Sequence, residues 1–173
     1  EFFEIYALEL GSSTNATTLK KLFEDAYLKH NTLADATRFL ANALFADQGL
    51  VIIDADSADL KRAFIPYIQE ELTKQTSFKA VQETIEKLKA YTVQVNPREI
   101  NLFYIEDHLR ERIVFENDKY IVNNTKISFT KEEILKLTES NPEKFSPNVI
   151  MRPLYQEIIL PNLCYIGGGG EIA

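Results

Sequence analysis

Residues 49–56 read GLVIIDAD. Leu50, Val51, Ile52 and Ile53 follow one another with no polar residue between them. A half-exposed strand would alternate apolar and polar positions, and an amphipathic helix would stagger them. A short unbroken run instead reads as a strand buried on both faces, as in a parallel sheet. Gly49 punctuates its start, and Asp54 and Asp56 fall at its C-terminal end. Helical patterns flank it on both sides, and helix, buried strand, helix is the order of an α/β layered domain. The expected fold class is α/β.

Working outward, EFFEIYALEL (1–10) has apolar residues at helical spacing and ends at Gly11. SSTNATTLKKLFEDAYLKH (12–30) offers several N-caps and an apolar face of Leu19, Leu22, Phe23, Ala26 and Tyr27. NTLADATRFLANALFADQG (31–49) repeats the plan. Asn31 or Thr32 caps it, Phe39, Leu40, Ala43 and Leu44 are expected to pack, and Gly49 stops it. Beyond the strand, SADLKRAFIPYIQEEL and FKAVQETIEKLKAY are two more helices.

The second half is rich in β-branched and aromatic residues, which predicts a small antiparallel meander over roughly residues 102–129 with ENDK as a hairpin turn. Thr130 and Glu133 have capping-box spacing for KEEILKLTES. Pro153 suits the first turn of a short helix running to about Leu160. NLCYI reads as a second buried strand entering the glycine-rich turn GGGGEIA at 167–173. The expected organisation is one segment, 1–173. Its helix-rich part at 1–90 holds the strand at 50–54, and 91–173 carries the meander, short helices and glycine loop.

The 173 residues suffice for one domain with a real core. A formal charge of -7 and a pI near 5.0 argue against nucleic acid or an anionic membrane as the main partner, because both require clustered Lys and Arg. The apolar runs are far too short to span a bilayer. Cys164 is the only cysteine, so no intrachain disulfide forms and a reducing compartment fits. The chain starts at Glu1 and ends just after a glycine turn. It is therefore expected to be an internal piece of a longer protein.

Gly168, Gly170 and Ala173 fit the dinucleotide pattern G-x-G-x-x-A, a weak match in a run of four glycines. No G-K-[ST] follows. Glu171 would occupy or repel an anion site at a helix N-terminus, so the loop is a better acceptor for an ammonium or a sugar hydroxyl than a phosphate cradle. A tight turn with Glu171 as a helix N-terminal acid is the equal alternative. Asn96, Arg98 and Glu99 belong to NPRE, a polar cluster at a strand edge or a solvated ion pair. Arg110 and Arg112 share a face if they lie on a strand. SPNVIMRPLYQE is the densest candidate. It offers Asn148, Arg152, Gln156 and Glu157, with Arg152 able to fork onto a carboxylate or phosphate or to bond loop carbonyls. Asp54 and Asp56 are candidates for Mg²⁺, a ribose or a helix cap. His30 and His108 are isolated, no metal-ligand spacing exists, and Cys164 is expected to be an inert core thiol.

QVNPREINLFYI, LRERI, GLVIIDAD and above all PEKFSPNVIMRPLYQEIILPNLCYIGGGGEIA resemble the bacillithiol biosynthesis cysteine-adding enzyme family (BshC) in its Bacteroidetes form. The resemblance runs through essentially the whole chain. One departure is Gly169, where the family has proline. The resemblance implies a Rossmann-like core segment of a cytoplasmic ligase that joins cysteine to glucosaminyl malate through a carbon–nitrogen bond. ATP, with or without Mg²⁺, would activate the carboxylate. It also implies a coiled-coil arm and a homodimer in the full-length protein, with this piece inactive alone. On that reading Asn148, Arg152, Gln156, Asn96, Arg98, Gly168, Gly169, Gly170 and Glu171 bind substrate, and the catalytic group is unassigned. Two other readings stand beside it: a non-catalytic scaffold in a thiol-biosynthesis complex and a dinucleotide-binding oxidoreductase.

Overall fold

In the computed structural model, residues 2–169 are described. The chain divides into two compact units, residues 1–54 and 55–173.

The first unit is helical: α1 (Phe2–Leu10), α2 (Thr14–Lys29) and α3 (Leu33–Phe45). Ser13 caps α2 by accepting the Ala16 amide at 3.1 Å, and Thr32 caps α3 by accepting the Asp35 amide at 3.1 Å. Gly49 takes φ 80° after a 3₁₀ turn, the left-handed conformation that glycine adopts without a Cβ penalty. Among the described residues of this unit only the small side chains of Ala16, Ala26 and Ala36 are buried. Phe39 and Leu44, expected to pack, are 36% and 44% exposed.

The run that suggested an α/β order is not a strand. Residues 51–54 have no ladder partner among the described residues, and Val51 is 80% exposed. A doubly buried strand needs a neighbour on each side, which a β-favouring composition does not supply by itself. The second expected strand, NLCYI, meets the same fate. It carries no strand pairing among the described residues, Leu163 and Ile166 are fully exposed, and Cys164 is exposed rather than buried.

The second unit holds the sheet. Helix α4 (Ala58–Lys74) and α5 (Thr76–Lys87) precede β1 (Leu102–Glu106), β2 (Leu109–Glu116), β3 (Lys119–Val122) and β4 (Ser128–Phe129). Then come α6 (Lys131–Ser140), β5 (Phe145–Pro147) and α7 (Arg152–Ile159). The strand order is β4-β3-β2-β1-β5, and every pairing is antiparallel. The meander is thus where its composition placed it. Asn117 and Asp118 both take positive φ, 52° and 60°, as a type I′ hairpin turn requires. The Thr130–Glu133 capping box is formed, with both reciprocal bonds present.

One face of the sheet meets the helices. Phe64, Ile68 and Leu72 of α4, Ile134 of α6 and Tyr155 of α7 pack on Leu102, Tyr104, Ile113, Val122 and Phe145. Each such side chain removed from water contributes roughly 1.5–3 kcal/mol. The α4 face also carries two charged residues that are almost fully buried, Lys61 and Glu71. The Lys61 ammonium donates to the Glu143 carbonyl at 3.1 Å and pairs with Asp56 at 2.8 Å.

Candidate functional site

Helix α4 ends at Gln75, which takes φ 54° and passes the chain directly into α5. The turn places Ser77 against Glu71. The Glu71 carboxylate accepts four hydrogen bonds: from the Ser77 amide (2.9 Å) and hydroxyl (2.6 Å), and from the Asn101 amide (2.9 Å) and side-chain NH₂ (3.1 Å). A buried carboxylate so supplied with donors is stabilised without a counter-ion.

Asn101, itself fully buried, passes this order on. Its side chain donates to the Arg98 carbonyl at 2.7 Å, and its Oδ1 accepts the Arg98 amide at 3.0 Å. The same Oδ1 accepts from the Asn148 side chain at 2.9 Å. Asn148 Oδ1 then accepts the amides of Ile150 (2.9 Å) and Met151 (3.3 Å), and its carbonyl accepts the Arg152 amide at 2.8 Å. The start of α7 is therefore built by Asn148, with Pro153 in its first turn.

What this scaffold presents is a groove of about 780 Å³. Val81 and Ile85 of α5, Val93 of the following segment, and Val149 and Ile150 supply apolar walls, and Arg152 lines it as well. The Arg152 guanidinium donates to the Tyr165 hydroxyl at 2.6 Å and to Gln156 Oε1 at 3.4 Å. A half-buried guanidinium lining a mostly apolar groove suits a ligand with an anionic group and an apolar or neutral body.

The expected site residues thus fall into separate groups. Arg152 lines the groove, and Gln156 accepts from its guanidinium. Asn148 lies behind them as a positioning residue with its polar atoms engaged. Asn96 is exposed in the loop before β1, and Arg98 lines a different, smaller cleft. Gly168 and Gly169 are exposed. A Cβ at Gly169 would meet nothing within 4 Å, so close packing among the described residues does not require glycine there. Gly170 and Glu171 lie outside the described residues. Glu157 accepts from Asn162 at 2.9 Å and braces the end of α7.

Of the other candidates, Asp54 pairs with Arg38 at 3.1 Å, and Asp56 pairs with Lys61. His30 bonds the Ala26 carbonyl at 2.8 Å, closing the α2 C-terminus through Nδ1. Among the described residues no three His, Cys, Asp or Glu side chains converge as metal ligands. No helix among them is long and apolar enough to cross a membrane.

Sequence reasoning missed Glu71, Ser77 and Asn101. It also missed a trio at the far end of β1. Tyr104 donates to Glu106 at 2.6 Å, and Lys144 bonds Glu106 at 2.5 Å and the Tyr104 hydroxyl at 3.3 Å. The hydrogen bonds from Lys144 and then Tyr104 hold the Glu106 carboxyl below its ordinary value, and the bond to Glu106 raises Lys144. Burial, followed by the bond to Glu106, raises Tyr104.

Residues 1–173 match the family described as bacillithiol biosynthesis BshC, N-terminal Rossmann-like domain. The chain belongs to this family. A BshC relative from Flavobacterium johnsoniae is 83% identical over 173 residues, covering 100% of the chain and 33% of the relative. One from Flavobacterium psychrophilum is 67% identical over 172 residues, 99% of the chain and 32% of the relative. The likeness extends to Lysinibacillus sphaericus, at 33% identity over 180 residues, 100% of the chain and 33% of the relative. Each carries, as a provisional name, cysteine ligase BshC. The chain spans about a third of the length of these curated relatives. Its fold class is α/β, in a Rossmann-like domain of the BshC family.

Proposed function

We propose that the chain is part of a ligase that joins the carboxylate of cysteine to the amine of glucosaminyl malate in bacillithiol biosynthesis. The observation that carries this reading is the match of all 173 residues to the BshC domain, together with the cysteine-ligase names of its relatives. A free carboxylate does not acylate an amine at neutral pH until its oxygen becomes part of a leaving group, and ATP is the proposed activator. Once activated, the acyl carbon is attacked by the amine, the carbon–nitrogen bond forms, and the leaving group departs with that oxygen. Holding the two reactants in attack geometry supplies much of the rate.

Arg152 is the residue we assign to an anionic group of substrate, with Gln156 and Tyr165 fixing the guanidinium. The described groove does not suit a triphosphate, since its walls are apolar and Arg152 is its one basic lining residue. ATP is therefore assigned to residues of the full-length protein beyond this groove. The full-length enzyme is proposed to act in the cytoplasm as a homodimer.

The test is a deletion strain. Loss of bacillithiol with accumulation of glucosaminyl malate supports the ligase, whereas unchanged thiol pools overturn it. In the full-length protein, Arg152→Ala is expected to lower kcat/KM by about 10-fold or more, about 1.4 kcal/mol of transition-state stabilisation. Unaltered ligation by that variant removes the groove from the site.

A further inference from the structure

Strand β2 runs further than β1 beside it. The β1–β2 ladder ends at Phe103↔Arg112, while β2 continues to Glu116 paired only with β3. On the β1 side, the chain peels away at Asn101 and leaves a cleft of about 250 Å³. Val114 lies between Arg112 and Glu116 on their face of β2, Ile113 and Phe115 turn to the other face, and buried Ile100 follows the loop. Four ionisable side chains line it: Arg98 and Glu99 from the loop, Arg112 and Glu116 from β2.

These four charges do not neutralise one another. Among the described residues, neither guanidinium has a hydrogen-bond or ion-pair partner, and neither carboxylate is paired. Lys119 stands opposite Glu116 in the β2–β3 register without forming an ion pair with it. The loop is nevertheless rigid where it matters, because buried Asn101 bonds both the amide and the carbonyl of Arg98. Two cations and two anions lining one small cleft match a ligand that carries both charges on one short skeleton. A single-sign anion would meet Glu99 and Glu116 as well as the arginines.

We propose that this cleft binds a small zwitterionic α-amino acid, its carboxylate on Arg98 and Arg112 and its ammonium on Glu99 and Glu116. The choice of cysteine as that amino acid rests on the ligase reading above. The charge pattern does not.

The experiment is calorimetric titration of the full-length protein with L-cysteine, L-serine, cysteamine and 3-mercaptopropionate. Cysteamine lacks the carboxylate and 3-mercaptopropionate lacks the ammonium. Both are expected to bind at least about 10-fold more weakly than L-cysteine, the loss of one charged hydrogen-bonded contact. Arg98→Ala and Arg112→Ala are each expected to weaken L-cysteine by a similar factor. Both residues are exposed, so melting is expected to stay unchanged. The proposal is overturned if wild-type protein binds no amino acid, if both arginine variants bind L-cysteine as tightly as wild type, or if cysteamine binds equally well. The last arm decides even if a variant fails to fold. Intact ligation with unaltered binding in both variants refutes the cleft and leaves the ligase standing. Arginine-dependent binding of L-serine or L-cysteine by a protein that makes no bacillithiol retains the cleft and refutes the ligase.

Discussion

Glu71 shows how much structure a single side chain can organise. It is 1% exposed, and its four donors come from two different segments. Glu71→Ala strands the amides of Ser77 and Asn101 without acceptors, while the Asn101 NH₂ keeps the Arg98 carbonyl and the Ser77 hydroxyl. It is expected to cost about 3 kcal/mol or more, read as a fall in the urea midpoint. The spacing that reveals such a residue was present in the sequence. Lys61, Phe64, Ile68, Glu71 and Leu72 lie on one helical face, so a carboxylate and an ammonium were written into an apolar stripe. The donors that make this burial tolerable come from residue 101, which spacing along α4 does not reveal. The Tyr104–Glu106–Lys144 trio predicts a two-sided pH response. Glu106 is depressed from 4.5, so its contribution is present above that value and is lost as pH falls through the folded value. Lys144 and Tyr104 are raised from 10.5 and 10.0, so theirs are present below those values and are lost as pH rises through the folded ones. Melting temperature followed against pH is expected to show both limbs. In Glu106→Gln the acid limb is expected to flatten.

At the level of elements, the features that were legible are those closed within a few residues. The Thr130–Glu133 box, the turn at Asn117 and Asp118, and Pro153 at the head of α7 are local chemistry, and each forms as written. The two apolar runs at 50–53 and 162–166 were misread because strand formation depends on a partner that a local window does not contain. Arg152 and Gln156 were brought together because they lie four apart on one helix, whereas Asn96 and Arg98 were grouped with them through the family resemblance. The I′ turn offers an element-scale test. Asp118 sits at φ 60°, where a Cβ is disfavoured by roughly 1–2 kcal/mol. Asp118→Gly is expected to raise stability by up to about 1 kcal/mol, seen as a higher urea midpoint. Thr130→Ala is expected to do the reverse by about 1 kcal/mol through loss of the α6 cap.

Across the whole chain, burial is unevenly shared. Residues 55–169 hold the large aromatic and aliphatic core, while the described buried positions of 2–54 are three alanines. Amide hydrogen exchange is expected to follow this division, with α1 to α3 exchanging at least about 10-fold faster than α4 and β1 to β3. Uniform protection across both units would contradict it. The exposure of Cys164 has a practical consequence of its own. A lone surface thiol accepts a maleimide fluorophore without engineering. The dye would sit one residue from Tyr165, whose hydroxyl receives the Arg152 guanidinium. Any ligand that draws Arg152 toward itself loosens that bond, so emission from residue 164 becomes an optical gauge of groove occupancy.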